Sequence, residues 1–278
     1  MNNAGTLKAI ANEQFAIKDC AASEQIVSKR CVIDHSKYKR SILGLNSSDL
    51  EACYVSIIHT AAALSLLRVG ISHTQIHSMF SVIQGMMHRV CTYFGDSPII
   101  CGGDDIVDWL NEVQGVLQGN AAGPTIWSLI SSIIFDVLHK RGFTVEFCTS
   151  MSKEVFKLVC FAYVDDSNLL TIGSDPMEVL TSMQQLINSW GELMDVAVGP
   201  LSVDKSWWYM LEYTWRRGKW VAVDSGPGID LVATTAGGTE IALERLHVHG
   251  SSEMLGIWIS PDGNKNKFIN KLKQDSII

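Results

Sequence analysis

Asp165 and Asp166 stand side by side in FAYVDDSNLL, residues 161–170, flanked by Phe161, Tyr163, Val164, Leu169 and Leu170. Two adjacent carboxylates repel each other and are costly to take out of water, so such a pair is either solvated at a turn or neutralised by a cation. Hard carboxylate oxygens suit Mg²⁺, and a two-metal site gathers carboxylates from more than one chain segment to hold ions about 3.5 to 4 Å apart. Asp49, in LNSSDLEACYVSII, offers the second segment, with Tyr54 five positions further on. In GVLQGNAAGP, Gln118 and Gly119 occupy a turn before a long apolar run, where backbone can approach a ligand closely. Each has a plain structural reading alone: a solvated Asp-Asp turn, a core aromatic, a turn glutamine. Their order along the chain is what points to chemistry.

The elements that must position these residues are mixed. Ile76, Met79, Phe80, Ile83, Met86, Met87 and Val90 recur at helical spacing, which predicts an amphipathic helix over 74–94. Pro124 and TIWSLISSIIFDVLHKRG predict a buried helix opened by proline and closed near Gly142. Ser174, Asp175 and Pro176 announce a third helix carrying Leu180, Met183, Leu186, Ile187 and Trp190 on one face. Between the last two, TVEFCTS and EVFKLVCFAYVDDSNLLTI are rich in strand-favouring residues and predict a hairpin with Asp165 and Asp166 at its tip. KSWWYMLEYTWRRGKWVAVD reads as two strands reversing at Arg217 and Gly218, and MLGIWISPDGN as a strand ending in a turn. The pattern is α+β rather than alternating β and α.

Taken in order, these stretches resemble the palm of reverse transcriptases: an aspartate with an aromatic five residues on, Gln-Gly with a proline shortly after, the Tyr-x-Asp-Asp hairpin, a lysine in LSVDKSWWYML, and Leu-Gly in EMLGIWISPDGN. NEQF, SKRCVIDHSK, DLEACYVSII and LQGNAAGPTIW resemble stretches of the retrotransposon-type members of that family, over about Asn12 to Lys273. The resemblance implies an α+β right-hand polymerase core, with partial fingers over 1–45, palm over 46–263 with inserted fingers helices, and a truncated thumb beginning at 264–278. It implies that Asp49, Asp165 and Asp166 bind two Mg²⁺ ions, for which Mn²⁺ could substitute, with Asp166 the weaker ligand. Tyr54 would gate the nucleotide sugar, Gln118 and Gly119 would contact nucleotide or template, and Lys205 would assist departure of pyrophosphate. Leu255 and Gly256 would lie in the hairpin that grips the primer.

The implied activity is RNA-directed DNA polymerisation, with a primed template and dNTPs as partners, within a longer element polyprotein. Val55-Ser56 stands where related elements usually carry Asp-Arg, which raises a second reading, a decayed remnant that binds nucleic acid without catalysis. The Asp-Asp of CGGDDI, Asp104 and Asp105, raises a third, a palm-fold nucleotide cyclase or primase-like nucleotidyltransferase; there the pair reads as helix-start charges. His247 and His249, two apart on an expected strand, have no third metal ligand in sight.

Composition bounds these readings. The chain has 278 residues, 47% hydrophobic, enough for a substantial core. Its net charge of -7 argues against coating nucleic acid by bulk electrostatics, so phosphate contacts must be local. Lys29, Arg30, Lys37, Lys39 and Arg40 crowd one stretch, and Lys265, Lys267, Lys271 and Lys273 another. Seven scattered cysteines without a metal-ligand spacing suggest reduced thiols in an intracellular protein, of nucleus or cytoplasm. The longest apolar stretch, Ile126–Leu138, reads as too short to span a bilayer and includes Asp136, so no membrane association is expected.

Overall fold

The computed structural model describes residues 10–15, 22–50, 53–85, 88–101, 115–116, 122–148, 153–164, 166–224, 228–235, 238–254, 257–264 and 266–275. The architecture is mixed α and β, built around a six-stranded sheet. Its strands are β1 (Ile42–Leu50), β6 (Cys160–Tyr163), β7 (Asp166–Gly173), β8 (Leu201–Arg216), β9 (Lys219–Val223) and β12 (Glu244–Arg245). They lie in the order β12-β8-β1-β7-β6, with β9 extending from β8. Strand β1 is thus central, antiparallel to both β7 and β8.

Directly paired residues share a face of the sheet, so the register sorts side chains. Leu43, Leu45 and Ser47 of β1 lie with Ile172, Leu170 and Asn168 of β7 and with Leu211, Tyr209 and Trp207 of β8. Helix α1 (Ala22–Lys39) covers this face, and Val32 and Ile33 join Leu43, Leu45, Leu170, Tyr209 and Leu211 in one buried cluster. The hairpin of β4 (Val145–Cys148) and β5 (Val155–Leu158) adds Val145 and Phe147 to it.

The opposite face meets a larger core, which includes α5 (Ala122–Lys140) and α6 (Pro176–Ala197). Between β1 and these lie the short α2 (Cys53–Ser56), α3 (His59–Arg68) and α4 (His73–Gln84). Helix α6 starts as its sequence dictates: Asp175 Oδ1 accepts from the Met177 and Glu178 amides at 2.9 and 3.0 Å, and the buried face runs through Val179, Met183, Leu186, Trp190 and Met194. Gly44 lets it close on the sheet, since a Cβ there would come within 2.5 Å of Met183 Cε and Thr171 Oγ1.

Two expectations change. The helix expected over 74–94 ends at Gln84, capped by Gly85, whose amide donates to Ser81 O at 3.0 Å; Val90 belongs to β2 (His88–Thr92), which pairs with β3 (Gly95–Cys101). The apolar spacing ran on past a glycine that stops the helix. Helix α5, at 19 residues, is longer than the apolar stretch that announced it and is long and apolar enough to cross a membrane. Most of it is buried against the rest of the protein.

The remaining elements are small: β10 (Val232–Thr234) with β11 (Glu240–Ala242), β13 (Ser252–Met254) with β14 (Ile257–Ile259), and helix α7 (Asn266–Asp275).

Candidate active site at the end of the central strands

Asp49 is the penultimate residue of β1, and Asp166 is the first of β7. The β1–β7 register closes with Ser48 opposite Ser167, and Asp49 and Asp166 are the next residues beyond that pair on their two strands. The two carboxylates therefore come from separate segments to one end of the sheet's central strands. Asp165, between Val164 and Asp166 in the chain, lies outside the described residues. Among the described residues no cluster of three or more His, Cys, Asp or Glu is placed to hold a metal.

The hairpin is tight, since Tyr163 pairs with Asp166; Asp166, expected at its tip, is instead the first residue of β7. Val164 has φ +57. A β-branched residue in the left-handed region is strained and must be held there by its surroundings. Both of its peptide groups are held. Its amide donates to Gln14 Oε1 at 3.2 Å, and its carbonyl accepts a short hydrogen bond from Trp127 Nε1. Trp127 is fully buried in α5 and Gln14 is 1% exposed. Gln14 Nε2 in turn donates to Ser131 Oγ at 3.2 Å. The segment carrying Gln14 lies along the edge strand β6: the Ala162 amide donates to Glu13 O at 2.9 Å, and the Phe15 amide to Ala162 O at 2.8 Å.

Strand β8 brings Lys205. Its pairing with β1 shifts between Ser47 and Asp49, from Ser47 opposite Trp207 to Asp49 opposite Ser202. Such an irregularity re-aims side chains. Lys205 Nζ comes to 3.6 Å from Asp49 Oδ2, and with 70% of the lysine side chain exposed the contact carries little stability. Ser206 stitches the bulge: its hydroxyl donates to Ser202 O at 2.8 Å and accepts from the Asp49 amide at 3.2 Å.

Tyr54 sits on α2, just past the end of β1, half-buried against the larger core. Gly123 of α5 faces its ring: a Cβ there would lie 3.1 Å from Tyr54 Cδ1. The Tyr54 carbonyl accepts from the Val116 amide at 2.9 Å. Gly115, with φ +84, passes so close that a Cβ would fall 2.3 Å from Tyr54 O. Gln118 and Gly119 lie outside the described residues, as do Leu255 and Gly256, which fall between β13 and β14 in the chain. Asp104 and Asp105 are outside them as well.

The first basic stretch lies on α1 and just beyond it, and Lys29 differs from its neighbours. It is 2% exposed, donates to Asn168 Oδ1 at 2.9 Å, and lies 5.3 Å from the Trp207 ring and 5.9 Å from that of Tyr209. Burial lowers its pKa to about 7, against the opposing pull of the Asp166 charge. Burial also pushes the Tyr209 hydroxyl well above its ordinary range. Arg30 pairs with Asp34 on the exposed side of the helix. In the second basic stretch, Lys267 lies 3.8 Å from the Trp258 ring.

His247 and His249 lie on a turn rather than the expected strand. Their rings engage separate acids, His249 Nδ1 with Asp262 at 2.7 Å and His247 Nε2 with Asp224 at 3.4 Å, and so converge on no common metal position. Trp208 is fully buried, while Trp215 packs edge-on to Trp220.

Sequence reasoning assigned no role to Gln14, Trp127 or Ser206. The first two lie within stretches singled out by resemblance, NEQF and LQGNAAGPTIW, which was the available signal. Nothing in the sequence marked Ser206.

No protein-family model and no curated protein matches the chain. Among solved structures it is similar to apo telomerase from Candida tropicalis truncated from its C-terminal domain, with TM-score 0.46 and 14% identity over 80% of this chain and 40% of that one. It is also similar to telomerase from Candida albicans in complex with a TWJ fragment of telomeric RNA, with TM-score 0.45 and 12% identity over 98% of this chain and 41% of that one. The chain thus spans about two fifths of the length of these telomerase chains.

Proposed function

We propose that this chain is the catalytic core of an RNA-directed DNA polymerase, adding dNTPs to a primer 3′-hydroxyl on a template. The observation that supports it best is that Asp49 and Asp166, from separate segments, lie just beyond the Ser48–Ser167 pair at one end of the central strands, beside the strained Val164. The donor chemistry fits Mg²⁺ or Mn²⁺: hard oxygens from two segments at a strand end. Asp49, Asp165 and Asp166 would hold the ions, which when bound supply an activated primer hydroxyl and neutralise charge on the departing pyrophosphate.

The chain's own side chains would do the rest. Lys205, exposed and reaching Asp49, can donate hydrogen bonds to a leaving phosphate. Tyr54, wedged between the end of β1 and Gly123 of α5, offers a rigid ring beside the nucleotide sugar. Gln118 and Gly119 would meet nucleotide or template, and Leu255 and Gly256 the primer end. Exposed lysines of α1 and α7 can bind phosphates locally despite the acidic total. The same reading places the chain in a larger element protein acting inside the cell.

The test is incorporation of labelled dNTP on poly(rA)/oligo(dT) with Mg²⁺, by the chain and by its Asp165→Asn, Asp166→Asn variant. Incorporation that disappears in the variant supports the proposal. Binding of the primer-template at low salt without incorporation by either chain overturns it in favour of the decayed remnant. Product from nucleotides without primer or template would instead favour the cyclase or primase-like reading.

A further inference from the structure

Helix α1 turns an unusual stripe toward the sheet. Gln25, Lys29, Val32, Ile33 and Ser36 recur at helical spacing and are all buried. The C-terminal part of the stripe is ordinary: Val32 and Ile33 pack in the core, and Ser36 Oγ donates to Tyr213 Oη at 3.3 Å. Toward the helix N-terminus the stripe becomes polar. Lys29 is inserted among Asn168, Trp207 and Tyr209, and one turn further the Gln25 amide is fully buried without a hydrogen-bond partner among the described residues.

The polar end of the stripe coincides with the carboxylate end of the sheet. Asn168, which accepts from Lys29, lies two residues after Asp166 on β7, so both project from the same face. Trp207, under the ammonium, directly follows the β8 irregularity that carries Lys205 and Ser206. A lysine is costly to bury. The negative charge of Asp166 partly offsets that cost.

We propose that Lys29 is a positioning residue for Asp166: its buried ammonium, bound to Asn168 on the face of β7 that Asp166 shares, holds that carboxylate, so that Asp49 is left as the stronger cation ligand of the two. The consequence for metal rests on the polymerase reading; the pairing of Lys29 with Asp166 does not. Removing the ammonium frees Asp166 to bind a cation and removes a competing positive charge.

Two readouts test this on the full chain, with Lys29→Met, Asp166→Asn and the double variant. The first is thermal unfolding in EDTA. Asp166→Asn should lower the melting temperature when Lys29 is present and have little effect when Lys29 is methionine. Equal shifts in both backgrounds overturn the pairing. The second is Mn²⁺ binding, followed by electron paramagnetic resonance. Lys29→Met should bind Mn²⁺ several-fold more tightly than the unaltered chain, and the gain should vanish in the double variant. An unchanged affinity, or a gain that persists without Asp166, overturns the positioning role. If the unaltered chain binds no Mn²⁺ the metal reading fails, and the unfolding cycle still decides the pairing. Should Lys29→Met not fold, Lys29→Gln serves in the same cycle.

Discussion

Asp49 and Asp166 lie immediately beyond the Ser48–Ser167 pair, at one end of the two central strands. Carboxylates gathered at one strand end repel each other, and a bound cation would relieve that repulsion. Asp49→Asn should therefore leave the metal-free chain as stable as before or slightly more so. On the proposed function it should reduce Mg²⁺-dependent dNTP incorporation by more than about 100-fold, the upper range for loss of a ligand's mere supporting partner. Melting curves in EDTA and primer extension check the two halves. A clear loss of stability in EDTA would show that Asp49 is held by favourable contacts that outweigh the repulsion.

Lys205 offers the opposite combination. Its side chain is 70% exposed and its approach to Asp49 is a long 3.6 Å, so Lys205→Met should move the melting temperature very little. If the ammonium donates to the departing pyrophosphate, the variant loses about 100-fold in single-turnover incorporation while primer-template affinity stays within a few-fold. A uniform loss of affinity with unchanged turnover would reassign Lys205 to phosphate binding.

The contrast between legible and hidden parts of this molecule has a physical basis. The hairpin of β6 and β7 and helix α6 were readable because local signals agree: strand-forming residues around an acidic turn, and Asp175-Pro176 ahead of an apolar stripe. Helix α1 hid its inward face because the stripe includes Gln25, Lys29 and Ser36, which hydrophobic periodicity scores as solvent-facing. The helix ending at Gln84 was overextended because Met86, Met87 and Val90 kept the right spacing beyond Gly85. The grip of Gln14 and Trp127 on Val164 joins segments far apart in the chain, and no local pattern encodes it. Asp165, Gln118, Gly119, Leu255 and Gly256 fall outside the described residues, so their places rest on resemblance.

Two glycines separate space from conformation. At Gly44 an added Cβ meets Met183 and Thr171 at 2.5 Å, so Gly44→Ala should cost about 1–3 kcal/mol through overpacking of α6 on the sheet. Shortening Met183 to alanine in the same chain should recover part of that cost. At Gly115 the obstacle is backbone, Tyr54 O at 2.3 Å, and φ is +84. No side-chain shift can relieve it, so Gly115→Ala should be the more destabilising of the two in urea unfolding.

Asp262 ties the turn at His249 to the segment before α7, and it makes stability depend on pH. Burial alone would raise its pKa, but hydrogen bonds from Ser260, His249 and the Asn264 amide outweigh this and hold it below the ordinary value. A carboxylate with a depressed folded-state pKa contributes stability above its unfolded pKa and loses it as pH falls through the folded value. The melting temperature of the unaltered chain should therefore drop more steeply below about pH 4 than that of Asp262→Asn, with the curves parallel above it. Parallel curves throughout would mean the Asp262 contacts do not persist in solution.

The strained turn gives the sharpest test of how the site is held. A non-glycine residue in the left-handed region costs about 1–2 kcal/mol, and glycine there costs about 0.5–1 kcal/mol in lost unfolded-state freedom, so Val164→Gly should be neutral to mildly stabilising. Trp127→Phe removes the donor to Val164 O and should cost about 1–3 kcal/mol by leaving a carbonyl without its partner. If Trp127 and Gln14 serve to hold valine in this conformation, the cost of Trp127→Phe should fall in the Val164→Gly background, because glycine stays in the turn without being held. The coupling should be about 0.5 kcal/mol or more, the range found for residues in direct contact. Strict additivity would mean that Trp127 contributes through core packing alone, and that the hairpin keeps its shape from β6 and β7 without help from α5.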